Sequence, residues 1–120
     1  MHFIKAFFIL IITLVTYVRS ECNTAGTSWG SDKSKVLEGF SVTCRTLTGT
    51  YPVASSARRC LSSGSNLKYD FTVQTLSSNV TRLNNKVCQA GYKEILECEK
   101  GGVVEMSGWR FKFRPLPGKC

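Results

Sequence analysis

The sequence predicts a small α+β domain, an antiparallel β-sheet packed with two main helices and stapled by three disulfides. Three observations lead there. Segments 31–48 and 85–99 put their apolar residues on one helical stripe, and segments 67–74 and 109–114 alternate apolar with polar residues. Six cysteines, Cys22, Cys44, Cys60, Cys88, Cys98 and Cys120, all fall after residue 20.

The N-terminus bears on compartment. After His2 and Lys5, Ala6 to Val15 is apolar except for Thr13, and the stretch ends in Val18-Arg19-Ser20. It is too short for a hydrocarbon core that takes about 20 apolar residues to cross. It reads as a secretory signal, residues 1–20, cut after the small Ser20, followed by one disulfide-rich domain at 21–120. No later segment is apolar enough to span a membrane, so the expected product is extracellular, with no stable membrane insertion. The full chain carries a net charge of +8; without Lys5 and Arg19 it keeps 14 Lys and Arg against 8 Asp and Glu, about +6. An even cysteine count in a short exported chain implies a disulfide framework, but fifteen pairings of six cysteines are open. Cys22 and Cys120 lie almost at the mature ends, so both termini are expected to be tied down.

Glu21 to Gly30 reads as an extended lead-in ending at Trp29. Ser31 is the expected N-cap of a helix at 31–48, with Val36, Leu37, Phe40, Cys44 and Leu47 on its inner stripe and Gly49 as its stop. Gly39 and three threonines weaken its intrinsic propensity. Tyr51–Val53 and Arg59–Ser62 are short strand candidates, and 62–66 is a turn. Leu67, Tyr69, Phe71 and Val73 alternate with Lys68, Asp70, Thr72 and Gln74, the clearest strand of the chain. After a turn at 77–79 comes a second helix at 85–99, terminated by Gly101-Gly102. Strands 103–106 and 109–114 flank Ser107-Gly108 as a hairpin, with Trp109, Phe111 and Phe113 on one face and Arg110, Lys112 and Arg114 on the other. Pro115 and Pro117 are expected to end the last strand.

The chemistry argues against catalysis. The sole histidine, His2, belongs to the leader, so nucleophile–histidine arrangements and a histidine general base are absent after it. Without histidine or a C-x-x-C pair, no metal site is expected, and no cofactor is implied. Among the carboxylates, only Asp70 occupies a noteworthy place, on the polar face of a strand, where solvation is the plainer reading.

Binding has better candidates. Arg110, Lys112 and Arg114 would put three cations on one strand face, each about 7 Å from the next, a row suited to phosphate or sulfate or simply to protecting an edge strand. Asp70 and Gln74, with Arg110, offer donors and acceptors for sugar hydroxyls. Trp29 and Trp109 offer flat apolar faces for sugars, with core packing as the alternative for each. Asn79-Val80-Thr81 is a glycosylation sequon at Asn79. Export disfavours nucleic acid as a partner.

A set of landmarks points to a family. They are an early Cys22-Asn23-Thr24 with Trp29-Gly30, a helix carrying Cys44, and Gly49-Thr50-Tyr51. Later come Cys88-x9-Cys98, Gly101-Gly102, Trp109-x-Phe111 and a proline-rich end at Cys120. In these the chain resembles the small cysteine-rich fungal secreted proteins related to the mushroom glycan-binding lectin Y-three. The resemblance implies an αβα-sandwich with an antiparallel sheet, recognition of a glycan or glycoprotein without chemistry on it, and a homodimer joined at a sheet edge. The rival expectation is a secreted fungal effector or toxin that binds a host protein or an anionic surface.

If this reading holds, secreted material starts at Glu21 and contains three disulfides and no free thiol. Intact mass with and without alkylation checks this, and a thiol that alkylates before reduction contradicts it.

Overall fold

A computed structural model describes residues 18–64 and 66–120. Most of the expected signal, residues 1–17, lies outside the described residues. The chain runs β1 (Arg19–Cys22), α1 (Lys33–Leu47), β2 (Gly49–Tyr51), β3 (Ser56–Ser62), β4 (Leu67–Thr75), β5 (Thr81–Leu83), α2 (Asn85–Lys93), β6 (Gly102–Met106) and β7 (Trp109–Pro117). The α+β class, the antiparallel sheet, the two main helices and the three disulfides are all present. No helix among the described residues is long and apolar enough to cross a membrane.

Five strands form one sheet in the order β1-β6-β7-β4-β3, and β2 pairs with β5 in a separate ladder; every pairing is antiparallel. The centre is β4 against β7, nine residues on each side, with Phe71 opposite Phe113 and Val73 opposite Phe111. The alternation of both strands puts Tyr69, Phe71, Val73, Trp109, Phe111 and Phe113 on one buried face. Both helices pack on that face. Phe40 of α1 meets Phe71 and Phe113 edge-on at centroid distances of 5.9 and 5.1 Å, and Tyr92 of α2 meets Phe71 and Phe111 at 5.3 and 5.2 Å. Where an αβα sandwich places helices on both faces, α1 and α2 here share one.

Local boundaries shift for identifiable reasons. Asp32, not Ser31, caps α1, its carboxylate accepting the Lys35 N–H at 3.2 Å. Asn84 caps α2 in the same way through the Val87 N–H at 2.8 Å. Helix α2 ends at Lys93 rather than at 99, because the chain then turns through i→i−3 bonds, among them Ile95 N–H to Tyr92 O and Cys98 N–H to Ile95 O. Those turns keep Ile95 buried, so the apolar stripe continues past the helix. Strand β7 runs on to Pro117 because β6 ends opposite Phe113, leaving the prolines in an edge setting beside β4 alone.

The disulfides are Cys22–Cys98, Cys44–Cys88 and Cys60–Cys120, with no free cysteine among the described residues. Cys44–Cys88 joins the two helices inside the core, and the other two fasten β1 and the C-terminal end. They close loops of 44, 60 and 76 residues, each worth about 4 kcal/mol on loop-closure entropy. The lead-in is tied down as well, the Asn23 and Trp29 N–H groups donating to Gly101 O and Glu99 O at 2.9 and 2.8 Å.

Two glycines are required by close approach. A Cβ on Gly101, which has φ +80°, would overlap the Phe113 carbonyl oxygen, and a Cβ on Gly91 would overlap the Phe111 ring. Gly91→Ala is therefore expected to lower stability by about 1–3 kcal/mol through overpacking, against a helix-propensity gain of up to about 1 kcal/mol. Denaturant unfolding checks the sign, and a stabilised Gly91→Ala protein would contradict the packing of α2 on β7.

Candidate functional site

Burying one face of β4 and β7 turns the other outward, and none of the described elements covers it. Residues directly opposite in an antiparallel pair share a face, so the ladders assign the outer surface row by row. Across β1, β6, β7, β4 and β3, one row reads Arg19, which falls within the expected signal, then Glu105, Arg110, Gln74, Ser56. The next reads Glu21, Val103, Lys112, Thr72, Arg58. A third runs from Arg114 through Asp70 to Cys60, and a fourth from Leu116 through Lys68 to Ser62. Asp70, Gln74 and Arg110 thus share this face, with Asp70 and Gln74 four residues apart on one strand, about 13 Å.

Five side chains here are already paired: Arg58 with Asp70, and Arg110 with Gln74 and Glu105. Arg58 grips Asp70 through two parallel bonds, Nε to Oδ1 at 2.8 Å and Nη2 to Oδ2 at 2.7 Å. The Asp70 side chain is 15% exposed and that of Arg58 71%, so the carboxylate is sheltered while the guanidinium lies over it in water. The hydrogen bond to Asp70, followed by its charge, raises the pKa of Arg58. Arg110 reaches in two directions, donating to Gln74 Oε1 at 3.5 Å and to Glu105 Oε1 at 3.3 Å. Beneath the sheet, the Tyr92 hydroxyl donates to Thr72 O at 3.0 Å, and burial pushes its pKa far up. Lys112, Arg114 and Lys68 enter no ion pair among the described residues.

The face is indented by open grooves. One of about 600 Å³ runs between Glu21, Asn23, Thr24, Lys112 and Arg114. A second, about 360 Å³, adjoins it between Glu21, Glu105, Arg110 and Lys112. A third, about 370 Å³, lies across β4 between Arg58, Lys68, Asp70 and Leu116. No group of three or more His, Cys, Asp or Glu among the described residues is placed to hold a metal ion.

The two tryptophans are elsewhere. Trp29 is 7% exposed and its indole N–H donates to Cys98 O at 2.9 Å, so it belongs to the core and offers no open face to a ligand. Trp109 is buried edge-on against Tyr51. Asn79 is exposed in the bend between β4 and β5, a setting a glycan could occupy. Two participants escaped the sequence reading. Arg58 and Glu105 carry no sequence signal of their own; only the register of β3 on β4 and of β6 on β7 joins them to Asp70 and Arg110.

No known family and no curated protein matches the chain. Among solved structures, it is similar to the tandem DUF26 ectodomain of the Arabidopsis thaliana cysteine-rich receptor-like protein PDLP8. That match has 12% identity over 83% of this chain and a TM-score of 0.40, and takes in 49% of the other chain. This chain therefore spans about half the length of that ectodomain.

Proposed function

We propose that the protein is a secreted, non-catalytic glycan-binding protein whose ligand lies on the outer face of the five-stranded sheet. The observation that carries this is a free sheet face whose polar side chains are held in place before any ligand arrives, by the Arg58–Asp70 fork and the Gln74–Arg110–Glu105 bridge. Fixing donors and acceptors beforehand lowers the ordering cost of binding. Shallow connected grooves suit an elongated chain of sugars better than a small molecule that needs enclosure. Catalysis is not expected of the same residues. Glycoside hydrolysis takes two carboxyl groups facing one another across the bond that breaks. Asp70 and Glu105 are instead each engaged by an arginine. A homodimer built by joining two sheets edge to edge would use β3, whose seven residues have one side unpaired.

The rival reading, an effector or toxin that binds a host protein or an anionic surface, draws support from the excess of lysine and arginine on this face. It requires binding that salt abolishes and sugar identity leaves unchanged.

A glycan array separates the two by its dependence on the sugar, and sugar-dependent signal is expected. Asp70→Ala, Gln74→Ala and Arg110→Ala, folded by circular dichroism, should each weaken the selected glycan by about 0.5–1.5 kcal/mol, more where a charge is lost. Unchanged affinity in all three removes Asp70, Gln74 and Arg110 from the site. Hydrolysis of the glycan that disappears in Asp70→Asn would make the protein an enzyme.

A further inference from the structure

We infer that the glycan is a sulfated polysaccharide, held by Lys112, Arg114 and Lys68. This rests on the glycan reading above and names its ligand class. The first observation is what the outer face lacks. All the aromatic residues of β4 and β7 point into the core: Tyr69, Phe71, Trp109, Phe111 and Phe113 are buried. A neutral sugar commonly lays its apolar face on an aromatic ring, and among the described residues this surface has none to offer. Affinity here has to come from charge and hydrogen bonds.

The second observation is which charges are free. Arg58 and Arg110 are occupied by Asp70 and Glu105, whereas Lys112, Arg114 and Lys68 have no anionic partner among the described residues. The three form a track. Lys112 and Arg114 are two residues apart on β7, about 7 Å. Lys68 is the diagonal neighbour of Arg114, since Arg114 faces Asp70 on β4, and lies about 7–8 Å from it. The track leads from the groove beside Glu21 and Asn23 to the one beside Arg58 and Leu116. Its length, roughly 14 Å on these spacings, exceeds what one small anion touches and matches a polymer bearing several anionic groups. The Arg114 guanidinium can take a sulfate through two parallel N–H bonds, and the lysines serve as point charges.

Other polyanions fit less well. Single-stranded nucleic acid uses aromatic platforms for its bases, which this face does not have. A lipid surface would engage exposed apolar side chains beside the cations. The apolar residues beside the track, Val103 and Leu116, are only half-exposed, and the exposed Val53, Leu76 and Val80 sit in the connections flanking β2, β4 and β5.

The test measures binding to heparin, to the same polysaccharide after desulfation, and to inorganic polyphosphate. It compares the wild-type protein, Lys112→Gln/Arg114→Gln, and Lys86→Gln/Lys93→Gln, which removes the same charge from the exposed side of α2. Two lost charge-assisted contacts should weaken heparin binding about a hundredfold, and the α2 variant should stay within about threefold of wild type. Desulfation should weaken wild-type binding to a similar extent. Equal losses in the two variants would reduce the effect to net charge and overturn the inference. Full-strength binding of the desulfated chain would overturn the sulfate requirement and leave the glycan reading standing. Polyphosphate bound as tightly as heparin, with the same loss in Lys112→Gln/Arg114→Gln, would make this a general polyanion surface. No binding to either polysaccharide, together with a blank glycan array, would remove the glycan reading itself.

Discussion

The seam between β4 and β7 holds the rest of the molecule in place. Phe71, Phe111 and Phe113 lie side by side on its inner face, and Phe40 and Tyr92 close over them from two helices. Edge-to-face pairs of this kind add about 0.5–1.5 kcal/mol each beyond the burial of their area. A strand's side chains alternate with a period of two, so a slip of one residue would expose the strand's aromatic set and bury its polar row, Arg110, Lys112 and Arg114 in β7 or Lys68, Asp70, Thr72 and Gln74 in β4. The core therefore sets the register, and the register sets the composition of the opposite face. Asp70, Gln74, Arg110, Lys112 and Arg114 share a surface because Tyr69, Val73 and the phenylalanines share a core.

The disulfides act on the borders of this arrangement. Cys44–Cys88 fixes the helix pair above the aromatic layer, while Cys22–Cys98 holds β1 at one edge of the sheet. Cys60 lies on the outer face opposite Asp70, so the Cys60–Cys120 link fastens the C-terminal end beside the Arg58–Asp70 pair. In a domain with so small a core, these links keep a flat, solvated sheet face from needing cover of its own. The helices stay on one side, and the free side keeps its charges.

Much of the seam was legible before any coordinates. The alternation over 67–74 and 109–114 identified β4 and β7, and the stripe of Val36, Phe40, Cys44 and Leu47 identified α1 with its buried face. What escaped depends on partners distant in the chain. Strand β1 has four exposed residues and no alternation, and β5 has only three residues; both exist because β6 and β2 pair with them. The spacing of Ile95 and Leu96 fits a helix as well as a series of tight turns, which is why α2 seemed longer than it is. Sequence leaves Trp29 between a sugar platform and a core residue, and the bond that decides it for the core runs from its indole N–H to the Cys98 carbonyl 69 positions away. The pairing of Arg58 with Asp70 likewise needs the β3–β4 register, which composition does not supply.

The central claim is that the ligand occupies the outer face of the β4–β7 seam. Amide chemical-shift mapping during titration with a sulfated oligosaccharide tests it most directly. The account predicts that the perturbed residues cluster at 68–74 and 110–114, continuing to Glu21 and Val103 along the adjoining groove. Perturbations confined to the 52–55 and 76–80 connections, or to the exposed side of α1, with the seam unmoved, would contradict it.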